Sequence, residues 1–386
     1  MSKLPALNDY LVRDASQIQT PALLLYPEWI DANIEATLAE MGGDANRWRP
    51  HVKTTKSRSV ISRLLEHGVT QFKCATTREL VMVCESGARD VLVAYPMVGA
   101  NAARVAELAI AWPAVSISVL IENSTEADYW HGKPLGLFID VNPGMDRTGI
   151  SQERAGEIVE LARRCGSQFH GLHYYDGQIH TPALAERTAQ AEYGYERLMQ
   201  LVASLKAVRL SPPEVITSGT PALPCALGFK AFGDDGFVHR VSPGTIVFND
   251  LTSLAELGEI GELRRLRPAA LVMTTVVSHP SPRRFTCDAG HKSVSADAGV
   301  PTCAVLGHPE WQPLKPSEEH LPIEVPAEEA LPEVGALLYL VPKHVCPTVN
   351  LFDEGLAIGG GEIQGIWRID ARGHEGPLVK QGATRQ

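Results

Sequence analysis

The chain has no apolar run long enough to cross a bilayer, and its first residues, MSKLPALNDYLVRDASQ, lack the apolar core of a signal peptide. No membrane-spanning helix is therefore expected, and the cytoplasm is the expected compartment. Positive charge is in short supply as well. Thirty-five Lys and Arg face 45 Asp and Glu, for a net charge of -10, which argues against a nucleic-acid or anionic-membrane surface. Cysteine is sparse: seven residues, an odd number, widely spaced and without a CxxC pair, so neither a disulfide framework nor a thiol-redox motif is expected. Repeats and low-complexity tracts are absent. So is a glycine-rich nucleotide turn behind the first strand, where Pro50-His51-Val52-Lys53 stands instead.

What remains is a soluble composition, 44% hydrophobic and 21% charged, over 386 residues, too long for one small core. PALLLY reads as a strand, and DANIEATLAEM follows with Ile34, Leu38 and Met41 at helical spacing. Residues 47–53 look extended. Strand-like and helical segments then alternate: QFKCAT, RELVMVCESG, DVLVAYP, RVAELAIAW, VSISVLI, LGLFIDV and onward to HRVSPGTIVFND. This alternation predicts a parallel (β/α)8 barrel over residues 18–262, with an open doubly wound sheet as the competitor. Beyond that point the runs AALVMTTVVSHP, RRFTCDAG, TCAVLG, GALLYLVP and IQGIWRID are short and broken by Gly, Pro and acidic turns. They predict a mainly antiparallel β domain over 263–386, on which residues 1–17 are also expected to pack.

Several polar residues fall where barrel enzymes keep their chemistry, at the C-terminal ends of strands. Lys53 ends the extended run that opens at Arg47. Partial desolvation there lowers an amine's pKa and lets it form a Schiff base, although a solvated KTTK turn is an equally fair reading of these residues alone. Arg147 lies in the turn VNPGMDRTG, where a surface arginine is the simpler reading. ITSGTPA and VSPGTIVFND end strands in small residues whose backbone N–H groups can cradle a phosphate. GLHYYDGQIH carries His180, a candidate general base, although His170, His173 and His180 all read equally as packed or solvent-facing imidazoles. In VPKHVCPTVN, His344 and Cys346 share a face if the segment is extended, making half of a tetrahedral zinc site, or else a buried histidine and an inert thiol.

The stretch RPHVKTTKS resembles the pyridoxal-phosphate lysine segment of the D-threonine aldolase and D-serine dehydratase family, and the resemblance runs in order from TPALLLY to IWRID. It implies an alanine-racemase-like fold and a homodimer, with Lys53 carrying the cofactor and Lys56 a loop residue. Thr55 stands where that family commonly has histidine. The resemblance further implies Arg147 at the phenolic oxygen of the cofactor and Tyr175 against its ring. It places Ser218, Gly219 and Thr220 with Gly244 and Thr245 at its phosphate, Ile246 standing where relatives often have tyrosine. His180 is implied as the base, one position earlier than in some aldolase relatives. His344 and Cys346 match the dehydratase pattern for Zn2+, while aldolases tend to have aspartate at the second position and use Mn2+ or similar ions such as Mg2+. Asp288, His291 and Asp297 are candidates for supporting groups, and the role of His320 is open.

The activity so implied is a lyase acting on a small D-3-hydroxy amino acid. Retro-aldol cleavage to glycine and an aldehyde is the first expectation, and elimination to an α-keto acid and ammonia the alternative. A racemase has no obvious use for a metal pair. A non-catalytic carrier of the cofactor would not need the residues after the barrel.

Overall fold

The computed structural model describes residues 4–233 and 236–377 and divides into two compact units. The described residues within 44–53, 64–243 and 373–377 form one, the barrel unit. Those within 4–43, 54–63 and 244–372 form the other, the β unit. No helix among the described residues is long and apolar enough to cross a membrane.

In the barrel unit, strands Gln71–Cys74, Asp90–Val93, Ser116–Ile121, Gly136–Asn142, Phe169–Tyr174, Glu214–Thr217 and Val238–Val241 pair in that order, all parallel. The extended segment before Lys53 supplies the eighth stave. Trp48 bridges Val241 of the last strand and His51 bridges Lys73 of the first, both in parallel fashion. The backbone bonds are Arg49 N–H to Val241 O at 2.9 Å, and Val52 N–H to Lys73 O at 2.8 Å. Closure of the ring leaves no exposed sheet edge. Helices begin where the sequence supplies caps: Thr76 and Asn123 accept the backbone N–H groups of Glu79 and Glu126, and each of those glutamates bonds back to the strand end before it. The barrel interior holds Leu92, Leu120, Phe138 and Ile216 in one apolar cluster.

At the N-terminal ends of the strands, the buried Arg49 acts as a clasp. Its Nε and Nη2 donate to Glu214 at 2.9 and 2.8 Å, and its Nη1 and Nη2 to Asp90 at 2.9 and 2.6 Å. Arg240 also pairs with Glu214. A planar fork can hold two carboxylates in this way where a lysine could not.

The β unit is one nine-stranded mixed sheet. Strand Ala270–Ser281 runs antiparallel to Ala22–Leu25, to Arg284–Cys287 and to Leu337–Pro342; Ala22–Leu25 is parallel to Glu354–Gly359, the one parallel pair in the sheet. Leu271 and Met273 pack on one face with Leu24, Tyr26, Tyr10 and Val12. Val272 and Val276 pack on the other with Phe285, Ile323 and Leu340. With both faces buried over residues 270–273, that part of the strand reads as a continuous apolar run.

The observed division differs from the boundary expected at residue 262. Strand Ala22–Leu25 and helix Pro27–Glu40 belong with the β sheet, as do residues 244–262. A strand followed by a helix looks the same in sequence whether its hydrogen bonds go to a barrel or to an antiparallel neighbour. The packing of Tyr10 and Val12 puts the N-terminal residues in the β unit too.

Candidate active site

In the barrel unit, polar side chains gather round the ring of Tyr175, just past the end of strand Phe169–Tyr174. Lys53 Nζ lies 5.8 Å from its centroid, Lys73 Nζ 5.5 Å and the Arg147 guanidinium carbon 4.8 Å. Lys53 is partly exposed and follows the barrel-closing stave directly. Arg147 reaches the ring from a turn that Asn142 shapes by accepting the N–H groups of Gly144 and Asp146. Lys56, the other lysine of the motif, is buried in the β unit with its amine donating to Ala371 O at 3.3 Å. The structure thus separates the two lysines, one facing an aromatic ring and one tying down a chain segment.

Gly219 borders the same ring, and Ser218 precedes it in the turn. Ser218 has a left-handed backbone (φ 58°), and its buried hydroxyl has no hydrogen-bond partner among the described residues. A side chain at Gly219 would come within 3.0 Å of Tyr175 Cε2. An unengaged hydroxyl in a tight turn beside an aromatic face suits a phosphate group on a flat ring. Thr220 is also buried here. Next to this turn, Asp176 is wholly buried, accepts Tyr195 O–H at 2.6 Å, and burial pushes its carboxyl up to about 6.

Lys73, Asp140 and His173 were not singled out as a group by sequence, and the structure joins them inside the barrel. Asp140 accepts Thr148 Oγ1–H at 2.7 Å and His173 Nδ1–H at 2.7 Å. His173 Nε2 is then an acceptor for Lys73 Nζ at 3.2 Å, and Lys73 also donates to Ser242 Oγ at 2.5 Å. The Ser242 hydroxyl in turn donates a hydrogen bond to Ser218 O at 2.8 Å. Burial, aided by the charge of Lys53, brings the Lys73 amine down to about 7. Burial and the neighbouring Lys73 likewise lower His173, which favours the neutral ring. Burial opposes ionisation of Asp140, but its bond from His173 outweighs that and holds the carboxyl below its usual range. The sequence signal was a polar residue set between apolar neighbours in each strand: Lys73 in FKC, Asp140 in FIDV and His173 in LHY.

His180, the expected base, is exposed, and no hydrogen bond to its ring is seen among the described residues.

The β unit holds the second constellation. His344 caps a short helix, Val345–Val349, and Cys346 lies in its first turn. Their proximity comes from a helical turn, not from the extended segment the sequence suggested. Cys346 Sγ meets the hydroxyls of Thr54 at 3.0 Å and Thr245 at 3.2 Å. The Thr245 hydroxyl, expected at a phosphate, is therefore engaged with sulfur; Gly244 precedes it, buried. His344 Nδ1 hydrogen-bonds Asp297 Oδ2 at 2.6 Å, and the ring also hydrogen-bonds Cys346. Burial works against a charge on His344, but Cys346 and Asp297 bring it up to about 9. Asp250 accepts the N–H of Val345 at 3.1 Å and so fixes the backbone between the two.

An imidazole and a thiol flanked by hydroxyl donors match the donor set of a zinc ion, with further positions left for water or substrate. No group of three or more His, Cys, Asp or Glu placed to hold a metal exists among the described residues. Of the other candidates, Asp288 accepts bonds from Thr20, Thr274 and the backbone of Thr275, a structural role. His291 and His320 are exposed.

Comparison with known proteins places these features in context. Residues 27–251, more than half of the chain, match the family described as alanine racemase, N-terminal domain, and residues 269–358 match a family described as a serine dehydratase domain. A D-threonine aldolase of an Arthrobacter species is 28% identical over 370 residues, covering 93% of this chain and 94% of its own. A 3-hydroxy-D-aspartate aldolase of Paracoccus denitrificans is also 28% identical, over 376 residues, with the same coverage. The crystal structure of D-threonine aldolase from Filomicrobium marinum superposes with a TM-score of 0.82 at 26% identity, covering 92% of this chain and 96% of that one.

Proposed function

The chain belongs to the alanine racemase N-terminal domain family, and from that premise we propose that it is a lyase of D-3-hydroxy amino acids that uses pyridoxal phosphate and a divalent metal ion. The observation that carries this reading is the gathering of Lys53, Arg147 and the Ser218–Gly219 turn on the single ring of Tyr175. An amine, a fixed cation, an unengaged hydroxyl and an aromatic face are the four things such a cofactor needs from a protein.

Lys53 would hold the cofactor covalently, Tyr175 would face its ring, Arg147 its phenolic oxygen, and Ser218, Gly219 and Thr220 its phosphate. His344 and Cys346 would hold the metal, Zn2+ being the ion that a thiolate favours over Mn2+ or Mg2+. When bound, the cofactor supplies an electron sink at the substrate's Cα, and the ion a Lewis acid for its β-hydroxyl.

The protein's own part is to orient groups and move protons. Asp297 fixes the His344 ring so that one nitrogen faces a ligand. The Thr54 and Thr245 hydroxyls can donate to Cys346 sulfur and favour its thiolate. For cleavage between Cα and Cβ, a base must take the proton from the β-hydroxyl. His180 is the residue assigned to it, its ring being unengaged by other side chains in the structure. For elimination, the proton leaves Cα instead and Lys53 is the base.

Cleavage to glycine and an aldehyde is the preferred reaction because two curated relatives that align along nearly the whole chain are named aldolases. Elimination is the second reading, favoured by the Cys346 ligand and by the match of residues 269–358. D-Threonine and D-serine offered to cofactor-loaded protein with Zn2+ or Mn2+ separate them. Glycine with acetaldehyde supports cleavage. A keto acid with ammonia replaces it with elimination, and neither product refutes both. The assembly is proposed to be a homodimer, and the compartment the cytoplasm; sedimentation tests the first.

A further inference from the structure

Pyridoxal phosphate has three polar handles besides its aldehyde: a phosphate, a phenolic oxygen and a ring nitrogen. The first two have partners in the proposal above. The third has none, and the barrel interior contains a polar group without an assigned task. We propose that Lys73 is the hydrogen-bond donor to the ring nitrogen of the cofactor. The inference rests on the cofactor reading just given.

The hydrogen-bond polarity of the buried chain supports it. Asp140 can only accept, so His173 donates from Nδ1 and accepts at Nε2. Ser242 donates to Ser218 O, so it accepts from Lys73. Both partners of Lys73 are therefore acceptors, and together they use two of the three N–H bonds of its ammonium. Among the described residues the third has no acceptor, while the amine lies 5.5 Å from the centroid of Tyr175. Lys53 Nζ lies at a similar 5.8 Å from the same centroid. A flat cofactor held by Lys53 against Tyr175 would thus bring its ring close to Lys73.

Of the neighbouring buried groups, both nitrogens of His173 are bonded, while Asp176 accepts Tyr195 at Oδ2 and has no partner at Oδ1 among the described residues, which makes it the rival for the ring nitrogen. A carboxylate at the ring nitrogen would hold a proton there. An ammonium donates to it and leaves it unprotonated, which makes the ring a milder electron sink. The competing reading is that Lys73 is purely structural, a buried cation offsetting Asp140. Its amine near pH 7 is compatible with either, so the decision falls to an experiment aimed at one cofactor atom.

The experiment is a cycle of protein and cofactor changes. Full-length wild type and Lys73→Met are titrated with pyridoxal phosphate and with its deaza analogue, in which C–H replaces the ring nitrogen. Binding is followed by equilibrium dialysis and visible absorption, without reference to turnover. Lys73→Met is expected to weaken pyridoxal phosphate about 10- to 100-fold, the range for a hydrogen bond from a charged donor, and to weaken the analogue at least tenfold less. The ring-nitrogen NMR resonance of isotope-labelled cofactor is expected to lie in the unprotonated range in wild type and to move in the variant. Equal loss for both ligands, or loss for neither, overturns the assignment while leaving the cofactor reading intact. A wild type that binds neither ligand overturns both. If Lys73→Met does not fold, the ring-nitrogen resonance of labelled cofactor in wild type decides alone: an unprotonated shift supports the assignment and a protonated one overturns it.

Discussion

Replacing Arg49 by methionine removes the clasp at the N-terminal ends of the barrel strands while keeping an unbranched side chain in its place. Arg49 is fully buried and bonds both Asp90 and Glu214. Breaking a buried ion pair by removing one partner costs about 3–5 kcal/mol, because the partner's charge is left without compensation. Two features set the value within that range. Glu214 keeps Arg240 as a neighbour, and the Asp90 side chain is 29% exposed and can regain water. The lower end, about 3 kcal/mol, is therefore expected. Urea unfolding followed by far-UV circular dichroism measures it, the midpoint falling with the slope unchanged. Arg49→Lys is expected to recover less than half, since an ammonium cannot reproduce four directed bonds. Cofactor binding below the transition is expected to be untouched, because Arg49 acts at the end of the strands away from Tyr175. A loss below about 1 kcal/mol would mean that the clasp is no stronger than a surface pair, and the account of barrel closure through this residue would be wrong.

Other outcomes follow from the same structure. Lys53→Ala is expected to abolish the visible absorption of lysine-bound pyridoxal phosphate. Lys56→Ala is expected to keep it while losing about 1–2 kcal/mol of stability, from the bond of a buried amine to Ala371 O; retained absorption in Lys53→Ala would refute the choice of lysine. Asp297→Ala is expected to weaken zinc binding about 10-fold or more in a chelator competition, and an unchanged affinity would remove Asp297 from the metal's surroundings. Asp176 binds its proton more tightly in the folded chain, so apo-protein stability falls as pH rises from about 4 through about 6. Asp176→Asn, which cannot ionise, is expected to gain on the order of 3 kcal/mol relative to wild type at pH 8 over the difference at pH 3; a pH-independent difference contradicts that reading.

The barrel was legible because each strand–helix unit is local, and its caps and apolar spacing lie within a few residues of one another. The membership of strand Ala22–Leu25 was not. Its neighbours, 270–273 and 356–357, lie more than 200 residues away, and no local pattern encodes them. The extended conformation that would put His344 and Cys346 on one face is replaced by a short helix at Val345–Val349, for which Pro347 within the first turn was an available signal. The His344–Asp297 pair spans 47 positions in sequence and arises from tertiary packing alone.

The barrel-mouth residues and the barrel-core residues differ in legibility for a physical reason. Lys53 and Arg147 stand at strand ends among small residues, where a charge is conspicuous and its direction is fixed by the strand before it. Lys73, Asp140 and His173 each interrupt a run of apolar residues, and in a parallel barrel both faces of a strand are buried, so alternation cannot say which face a polar residue takes. Each alone reads as an isolated exception. Buried together they satisfy one another: Asp140 orients His173, His173 accepts from Lys73, and the amine stays held in a fixed place. A barrel needing only rigidity could fill those positions with leucine at no polar cost. That three strands each give up an apolar position to build one hydrogen-bonded chain, ending on an amine beside Tyr175, is what a purely structural account of the core leaves unexplained.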